Sequence, residues 1–87
     1  MKRMRSEKIK KVRSGAAMIH LGKKGVTEEF ILELERLLSR EKVVKVRVLK
    51  SVLAVHSMDE VASEILERTK SQLLETRGCT LLLAKYA

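Results

Sequence analysis

The segment 44–48 places the strongest constraint on how this chain folds, because three valines alternate there with Lys45 and Arg47. Residues two apart on a β-strand point to the same face of the sheet. The alternation therefore predicts a strand that buries its valines and keeps both basic side chains in solvent. These two side chains either extend a basic surface or serve only solubility.

An amphipathic helix is predicted before this strand. Thr27 is an N-cap residue, two glutamates follow it, and apolar residues recur at helical spacing from Phe30 to Leu38. Carboxylates in the first turn of a helix complement its positive end. The pattern predicts a helix that begins after Thr27 and ends at about Arg40, with one buried stripe.

Another amphipathic helix is predicted after the strand. Ser57 and Glu60 have the spacing of a capping box, and apolar residues continue at helical spacing to about Lys70. The intervening segment 51–56 is apolar without a clear period. It either extends the strand or forms an early start of the following helix.

Further elements are predicted at both ends of the chain. Segment 6–13 has the pattern of a short basic helix capped by Ser6, and 16–21 is an apolar run of strand length. Segments 72–77 and 80–86 flank a glycine of the kind that tight hairpins require, which predicts two antiparallel strands. The order α-β-α-β-α-β-β predicts one two-layer α/β (α+β) domain over 1–87, with the helices on one face of a four-stranded mixed sheet.

Positive charge is concentrated at the start of the chain. The protein has 87 residues and a net charge of +8, from 19 basic and 11 acidic side chains. Nine of the basic residues but a single acidic residue precede Val26, so this segment holds the entire excess. Such a segment favours a polyanionic partner, because phosphates bound by basic side chains release counterions. For residues 1–5 alone, a flexible basic tail is the alternative.

The loop Gly22-Lys23-Lys24-Gly25 is the sharpest candidate for a binding site. Its glycines let the backbone approach a sugar-phosphate chain, free amides at the following helix start point at an anion, and its lysines add positive charge. The alternative for this loop is a tight turn that binds no ligand. His20, two residues before the loop, is either a nucleic-acid contact or an ordinary histidine of the strand. The candidate nucleic-acid contacts are Gly22, Lys23, Lys24, Gly25, Lys10, Lys11, Arg13, His20, Lys45 and Arg47.

The residue types do not favour catalysis. A domain of this size has little room for an internal substrate cavity. The lone Cys79 has neither a disulfide partner nor a Cys or His cluster for a metal, and every uncharged run is far shorter than the roughly 20 residues of a membrane helix. We therefore predict a cytoplasmic, non-enzymatic protein with no cofactor, no metal, no small-molecule substrate and no membrane partner.

Three motifs, in this order, resemble the YhbY-like or CRM domain family. They are the loop motif at 19–27, the Val-Lys-Val-Arg-Val strand at 44–48 and the Gly-Cys-Thr-Leu-Leu-Leu segment at 78–83. The match covers nearly the whole chain. The resemblance implies a fold similar to the C-terminal domain of a bacterial translation initiation factor, and RNA binding through the loop at 22–25.

The resemblance also implies a partner. Bacterial members of the family are associated with precursors of the large ribosomal subunit, and plant members with intron splicing in organelles. We therefore expect a monomer that contacts structured ribosomal RNA during large-subunit assembly. An Alba-like chromatin protein that binds duplex DNA as a dimer is the main alternative, and a protein-binding adaptor with a Leu-rich edge is another.

Overall fold

A four-stranded mixed sheet forms the centre of the fold. The computed structural model describes residues 2–86, with side chains from Glu7 onward. The elements are α1 (Lys2–Ser14), β1 (Ile19–Leu21), α2 (Glu28–Glu41), β2 (Val43–Val48), α3 (Lys50–Leu53), α4 (Met58–Arg68), β3 (Ser71–Arg77) and β4 (Thr80–Lys85). The strand order is β1-β2-β4-β3, with β1 parallel to β2 and the other neighbours antiparallel. The predicted α/β class with a four-stranded mixed sheet is confirmed.

Strand β2 lies inside the sheet, between β1 and β4. Its residues Val44, Val46 and Val48 are at most 1% exposed and belong to the main core. We call the sheet face that carries these valines the inner face and the opposite one the outer face. Lys45 and Arg47 alternate with the valines and therefore lie on the outer face. The predicted strand is confirmed.

The main core fills the space between the inner face and the helices α2 and α4. Leu34 of α2, Ile65 of α4, and Leu81 and Leu83 of β4 are completely buried in it. Burying an aliphatic side chain of this size stabilises a fold by about 1.5–3 kcal/mol. This cluster therefore supplies much of the energy that holds the sheet and helices together.

Helix α1 departs from the predicted arrangement of helices on one face, because it packs on the outer face. Val12 is 5% exposed and forms a second, smaller cluster with Val43, Leu82 and Ala84. The Nζ atom of Lys8 also lies 3.0 Å from a carboxylate oxygen at the end of α2. Helix α1 thus covers the outer face only around the start of β2 and the end of β4.

Two predicted boundaries near the chain start are wrong. Helix α1 begins at Lys2 and not after Ser6, because the flanking arginine, methionine and lysine residues favour helix on both sides of that serine. Residues 2–5, for which a flexible basic tail is the alternative, belong to this helix, and Met1 lies outside the described residues. Strand β1 covers three residues instead of six, because its pairing with β2 begins at Ile19 opposite Val46.

The segment 51–56 follows neither of its two predicted alternatives. Most of it belongs to a separate helical turn, α3, and to the turn that follows. Val52 is 4% exposed in the main core, and its carbonyl accepts a hydrogen bond from the N–H of His56 at 2.9 Å. Burial of this one side chain explains why an apolar segment without a period folds as a turn.

The predicted caps Thr27 of α2 and Ser57 of α4 are confirmed, whereas the predicted cap Ser6 is wrong because this residue lies inside α1. The Oγ1 atom of Thr27 accepts a hydrogen bond from the N–H of Phe30 at 3.1 Å. The Oγ atom of Ser57 accepts from the N–H of Glu60, and the Glu60 carboxylate accepts from the N–H of Ser57, both at 3.1 Å. The bond from Ser57 lowers the pKa of Glu60. This part of the stabilisation is therefore present at neutral pH and is lost as the pH falls through the folded-state pKa.

Removing the capping hydroxyl tests this local signal. We expect Ser57→Ala to lower the free energy of unfolding by about 1 kcal/mol, because the N–H of Glu60 loses its acceptor. Chemical denaturation measures the change. Ser63→Ala, an exposed site in the interior of the same helix, is the matched control and should cost nothing. Equal losses in the two variants would contradict the assignment of the cap.

The predicted terminal hairpin is confirmed with small shifts in its ends. Strands β3 and β4 pair from Ser71 opposite Lys85 to Arg77 opposite Thr80. Gly78 occupies the turn with a φ of 58°, a backbone angle that favours glycine. This turn closes the sheet at the same end as the C-terminus of β2, because the N–H of Val48 donates to the carbonyl of Cys79 at 2.7 Å.

Candidate nucleic-acid interface

The loop between β1 and α2 is a tight turn with two lysines at its tip. The N–H of Gly25 donates to the carbonyl of Gly22 at 2.9 Å, so Lys23 and Lys24 occupy the two central positions of a β-turn. Both lysine side chains are exposed. Gly25 has a φ of 76°, and a Cβ atom there would meet nothing within 4 Å. This glycine therefore serves the backbone conformation of the turn and leaves open space in front of it.

The start of α2 contributes less to anion binding than the sequence suggested. The Thr27 hydroxyl already accepts from the N–H of Phe30. Glu28 and Glu29 add negative charge to the first turn, and such carboxylates compensate the positive end of the helix. The positive potential at this site therefore comes from Lys23 and Lys24.

Four residues line up across the outer face, one from each strand. His20 of β1 lies opposite Arg47 of β2. Arg47 lies opposite Thr80 of β4 on its other side, and Thr80 lies opposite Arg77 of β3. We call these four residues the cross-strand row. Alternation places them all on the outer face, because their neighbours Leu21, Val46 and Leu81 belong to the main core. His20, Arg47 and Arg77 are exposed.

An irregularity in β3 brings Arg77 into this row. Leu73 pairs with Leu83 and Glu75 with Leu82, so β3 holds one extra residue, Leu74, at a β-bulge. Leu83 lies on the inner face and Leu82 on the outer face. Strict alternation from Leu73 would have turned Arg77 inward. The bulge reverses the alternation and directs Arg77 outward.

Two of the predicted contact residues are engaged in packing α1 on the sheet. The Nζ atom of Lys45 donates to the carbonyls of Arg13 and Gly15, both at 2.9 Å, and so caps the end of α1. Arg13 forms an ion pair with Glu75 of β3 at 3.3 Å. Lys45 and Arg13 therefore position α1 and have fewer donors free for a ligand.

The other predicted residues fall into two exposed groups. Lys10 and Lys11 lie on the exposed side of α1. His20 and Arg47 are neighbours in the cross-strand row, and the loop at 22–25 begins two residues after His20. The structure thus brings the loop, His20 and Arg47 to one end of the sheet and leaves Lys10 and Lys11 on the adjoining helix.

Sequence reasoning missed Arg77 as a member of this surface. The predicted hairpin is sufficient to pair Arg77 with Thr80. It does not indicate on which face of the sheet Arg77 lies, because no residue type in β3 predicts the bulge. Lys50 was also missed. It begins α3 beside the loop, since the N–H of the preceding residue, Leu49, donates to the carbonyl of Leu21 at 3.0 Å.

The helical side of the molecule has the opposite charge. A groove of about 540 Å³ runs between the loop and α4, with Leu21, Val26, Val52 and Val61 among its apolar lining residues. The carboxylates around it are Asp59, Glu60, Glu64 and Glu67. This negative surface repels polyanions, which makes the groove an unfavourable place for a nucleic acid.

The described part of the chain holds no group of three or more His, Cys, Asp or Glu residues that could bind a metal ion. Within the same residues, no helix is long and apolar enough to cross a membrane. The candidate site thus consists of basic side chains and backbone on an open surface.

Comparisons with known proteins agree with this architecture. The sequence model of the CRS1 / YhbY (CRM) domain matches residues 2–85. The fold is similar to the solution structure of the hypothetical protein SAV1595 from Staphylococcus aureus, described as a candidate RNA-binding protein. The TM-score is 0.71 at 21% sequence identity, over 93% of this chain and 86% of that chain. No curated protein sequence matches this chain.

Proposed function

This chain belongs to the CRS1 / YhbY (CRM) domain family, and we propose that it is a non-enzymatic protein that binds structured ribosomal RNA. The membership supports RNA as the partner. The fold similarity to a candidate RNA-binding protein agrees with this choice. Assembly of the large ribosomal subunit is the process we propose for it.

The observation that carries the proposal is the placement of Lys23 and Lys24. They occupy the tip of a turn in which Gly25 leaves open space in front of the backbone. The turn lies at the end of the sheet where Arg47 is exposed. An RNA backbone at this place would meet positive charge and accessible main chain.

The remaining candidate residues have different roles in the proposal. Lys10 and Lys11 on α1 bind backbone phosphates beside the sheet, while His20 and Arg47 orient the RNA next to the loop. Arg13 and Lys45 act mainly through α1, whose position they hold. Phosphate contacts fix the register of a protein on a nucleic acid but carry no sequence information. We therefore expect recognition by shape and charge.

Reversing the charge of the loop tests the proposal. We expect Lys23→Asp combined with Lys24→Asp to weaken RNA binding by at least about tenfold, or roughly 1.4 kcal/mol. The expected cause is the loss of two phosphate contacts and their replacement by repulsion. Fluorescence anisotropy with a labelled hairpin from large-subunit ribosomal RNA measures the change.

The matched control makes the same charge change at the other end of the sheet. Lys42 and Lys70 are exposed and directly precede β2 and β3. Lys42→Asp with Lys70→Asp should weaken binding much less, because only long-range repulsion acts there. A folded loop variant that binds as tightly as this control would refute the role of the loop.

Competition separates RNA from duplex DNA as the partner. An RNA binder that reads A-form shape and 2′-hydroxyl groups should be displaced by unlabelled RNA and poorly by DNA of the same sequence. Equal or better competition by duplex DNA would favour the chromatin-protein alternative. Salt-insensitive binding to a protein, with none to RNA, would favour an adaptor.

Crosslinking in a cell lysate tests the proposed process. Sequencing of the RNA bound to the tagged protein should recover large-subunit ribosomal RNA, and the protein should co-migrate with large-subunit precursors on a gradient. Crosslinks at Lys23 or Lys24 would assign the contact to the loop. Recovery of mainly genomic DNA would overturn the proposal.

A further inference from the structure

We infer that the cross-strand row carries the phosphate backbone of double-helical RNA across the sheet, so that Arg77, on the strand farthest from the loop, is an RNA contact. This inference rests on the proposed function and names the part of the protein surface that the RNA occupies. The four residues span three strand spacings, or about 14 Å. The RNA footprint would thus extend from the loop across the whole width of the outer face.

The row is free to receive a ligand. Among the residues whose side chains the structure describes, none forms an ion pair with Arg47 or Arg77. Glu75 precedes Arg77 by two residues on the same face, but its carboxylate is bound by Arg13 at 3.3 Å. The nearby negative charge is therefore neutralised, and the two guanidinium groups keep their donors.

The position of α1 leaves this part of the sheet open. Lys45 holds the end of α1 through the carbonyls of Arg13 and Gly15. Val12 packs over Val43, Leu82 and other residues near the opposite end of β2. Exposed His20, Arg47 and Arg77 lie beyond the end of α1. The loop begins two residues after His20, so the row and the loop adjoin at this end of the sheet.

The chemistry of the row favours phosphates over unstacked bases. Sheets that bind single-stranded RNA stack its bases on aromatic side chains. Apart from its histidines, this chain has two aromatic residues, Phe30 and Tyr86, so His20 supplies the only ring in the row. Phe30 is buried in the main core, and Tyr86 follows the distant end of β4. The arginine side chains instead offer planar forks that match phosphate oxygens, which suits the backbone of a double helix.

Salt dependence of binding tests the inference. The probe is an RNA hairpin with a stem of about 20 base pairs, longer than the span of a typical double-stranded RNA-binding domain. We expect Arg77→Gln to weaken binding about fivefold at low salt and to reduce the slope of log K against log salt by about 0.7–0.9, the value for one lost phosphate contact. Arg77→Lys should retain the slope, because it keeps the charge.

Arg36→Gln is the matched control, since Arg36 is an exposed arginine on α2 that pairs with Glu33. It should leave the slope unchanged. The inference is overturned if the Arg77→Gln protein, with unchanged thermal unfolding, has the same slope of log K against log salt as this control. The loop variants test the proposed function separately. If they lose RNA binding while Arg77→Gln has no effect, the role of the loop is supported and only the role of the row is refuted. A wild-type protein that does not bind the hairpin overturns both.

Discussion

Raising the salt concentration from about 50 to about 200 mM is expected to weaken RNA binding by this protein about a thousandfold. The reason is the number of exposed basic side chains on the proposed surface. Six of the basic side chains proposed to contact RNA are exposed and form no ion pair among the described side chains: Lys10, Lys11, Lys23, Lys24, Arg47 and Arg77. Each phosphate neutralised releases a counterion, so about six contacts produce a slope of roughly −4 to −5.

Anisotropy titrations at several salt concentrations, with the RNA hairpin at constant pH, measure this slope. The triple variant Lys23→Gln, Lys24→Gln, Arg77→Gln should remove about half of it, because three of six contacts are lost. Measuring wild type and variant on one hairpin controls for salt effects on the RNA. A wild-type slope near zero would show that neutral contacts dominate, which the charge distribution argues against.

Leu34→Ala is expected to cause the largest loss of stability among substitutions in α2. This side chain is completely buried between α2 and the inner face of the sheet. Truncation removes its transfer free energy and leaves a cavity, at a total cost of about 2–5 kcal/mol. Native domains are stable by only about 5–15 kcal/mol, and small ones lie at the lower end. The variant should therefore unfold at a much lower denaturant concentration.

Leu32→Ala supplies a matched control on the same helix. Leu32 is 56% exposed, so the same truncation should change the free energy of unfolding by no more than about 0.5 kcal/mol. Denaturant titration followed by circular dichroism compares the two variants. Similar losses at both positions would mean that α2 packs on the sheet with a different face.

Local patterns in the sequence were sufficient for the starts of α2 and α4 and for the central strand. Thr27 and Ser57 cap their helices as predicted because a capping hydrogen bond involves residues only three positions apart. Alternation at 44–48 identified β2 because period two is a property of the strand itself. Gly78 marked the hairpin because the turn requires an angle that other residues rarely adopt. The lysines at 23 and 24 were found in the same way, from one short segment.

Long-range contacts decided the rest of the candidate site. Lys45 has the pattern of a solvent-facing lysine, yet its ammonium group binds carbonyls about 30 residues earlier in the chain. Helix α1 has too short an apolar stripe to indicate which face of the sheet it covers. Its place follows from Val12 packing against Val43, Leu82 and Ala84, which come together only when the sheet forms.

The sequence by itself therefore determined the types of most elements, the caps of α2 and α4 and the excess of positive charge, since each depends on neighbouring residues. Only the tertiary structure decided which basic groups share a surface. One extra residue in β3 reverses its alternation and places Arg77 beside Thr80 and Arg47. That reversal comes from the pairing of β3 with β4, and strand pairing is settled by packing across the whole sheet.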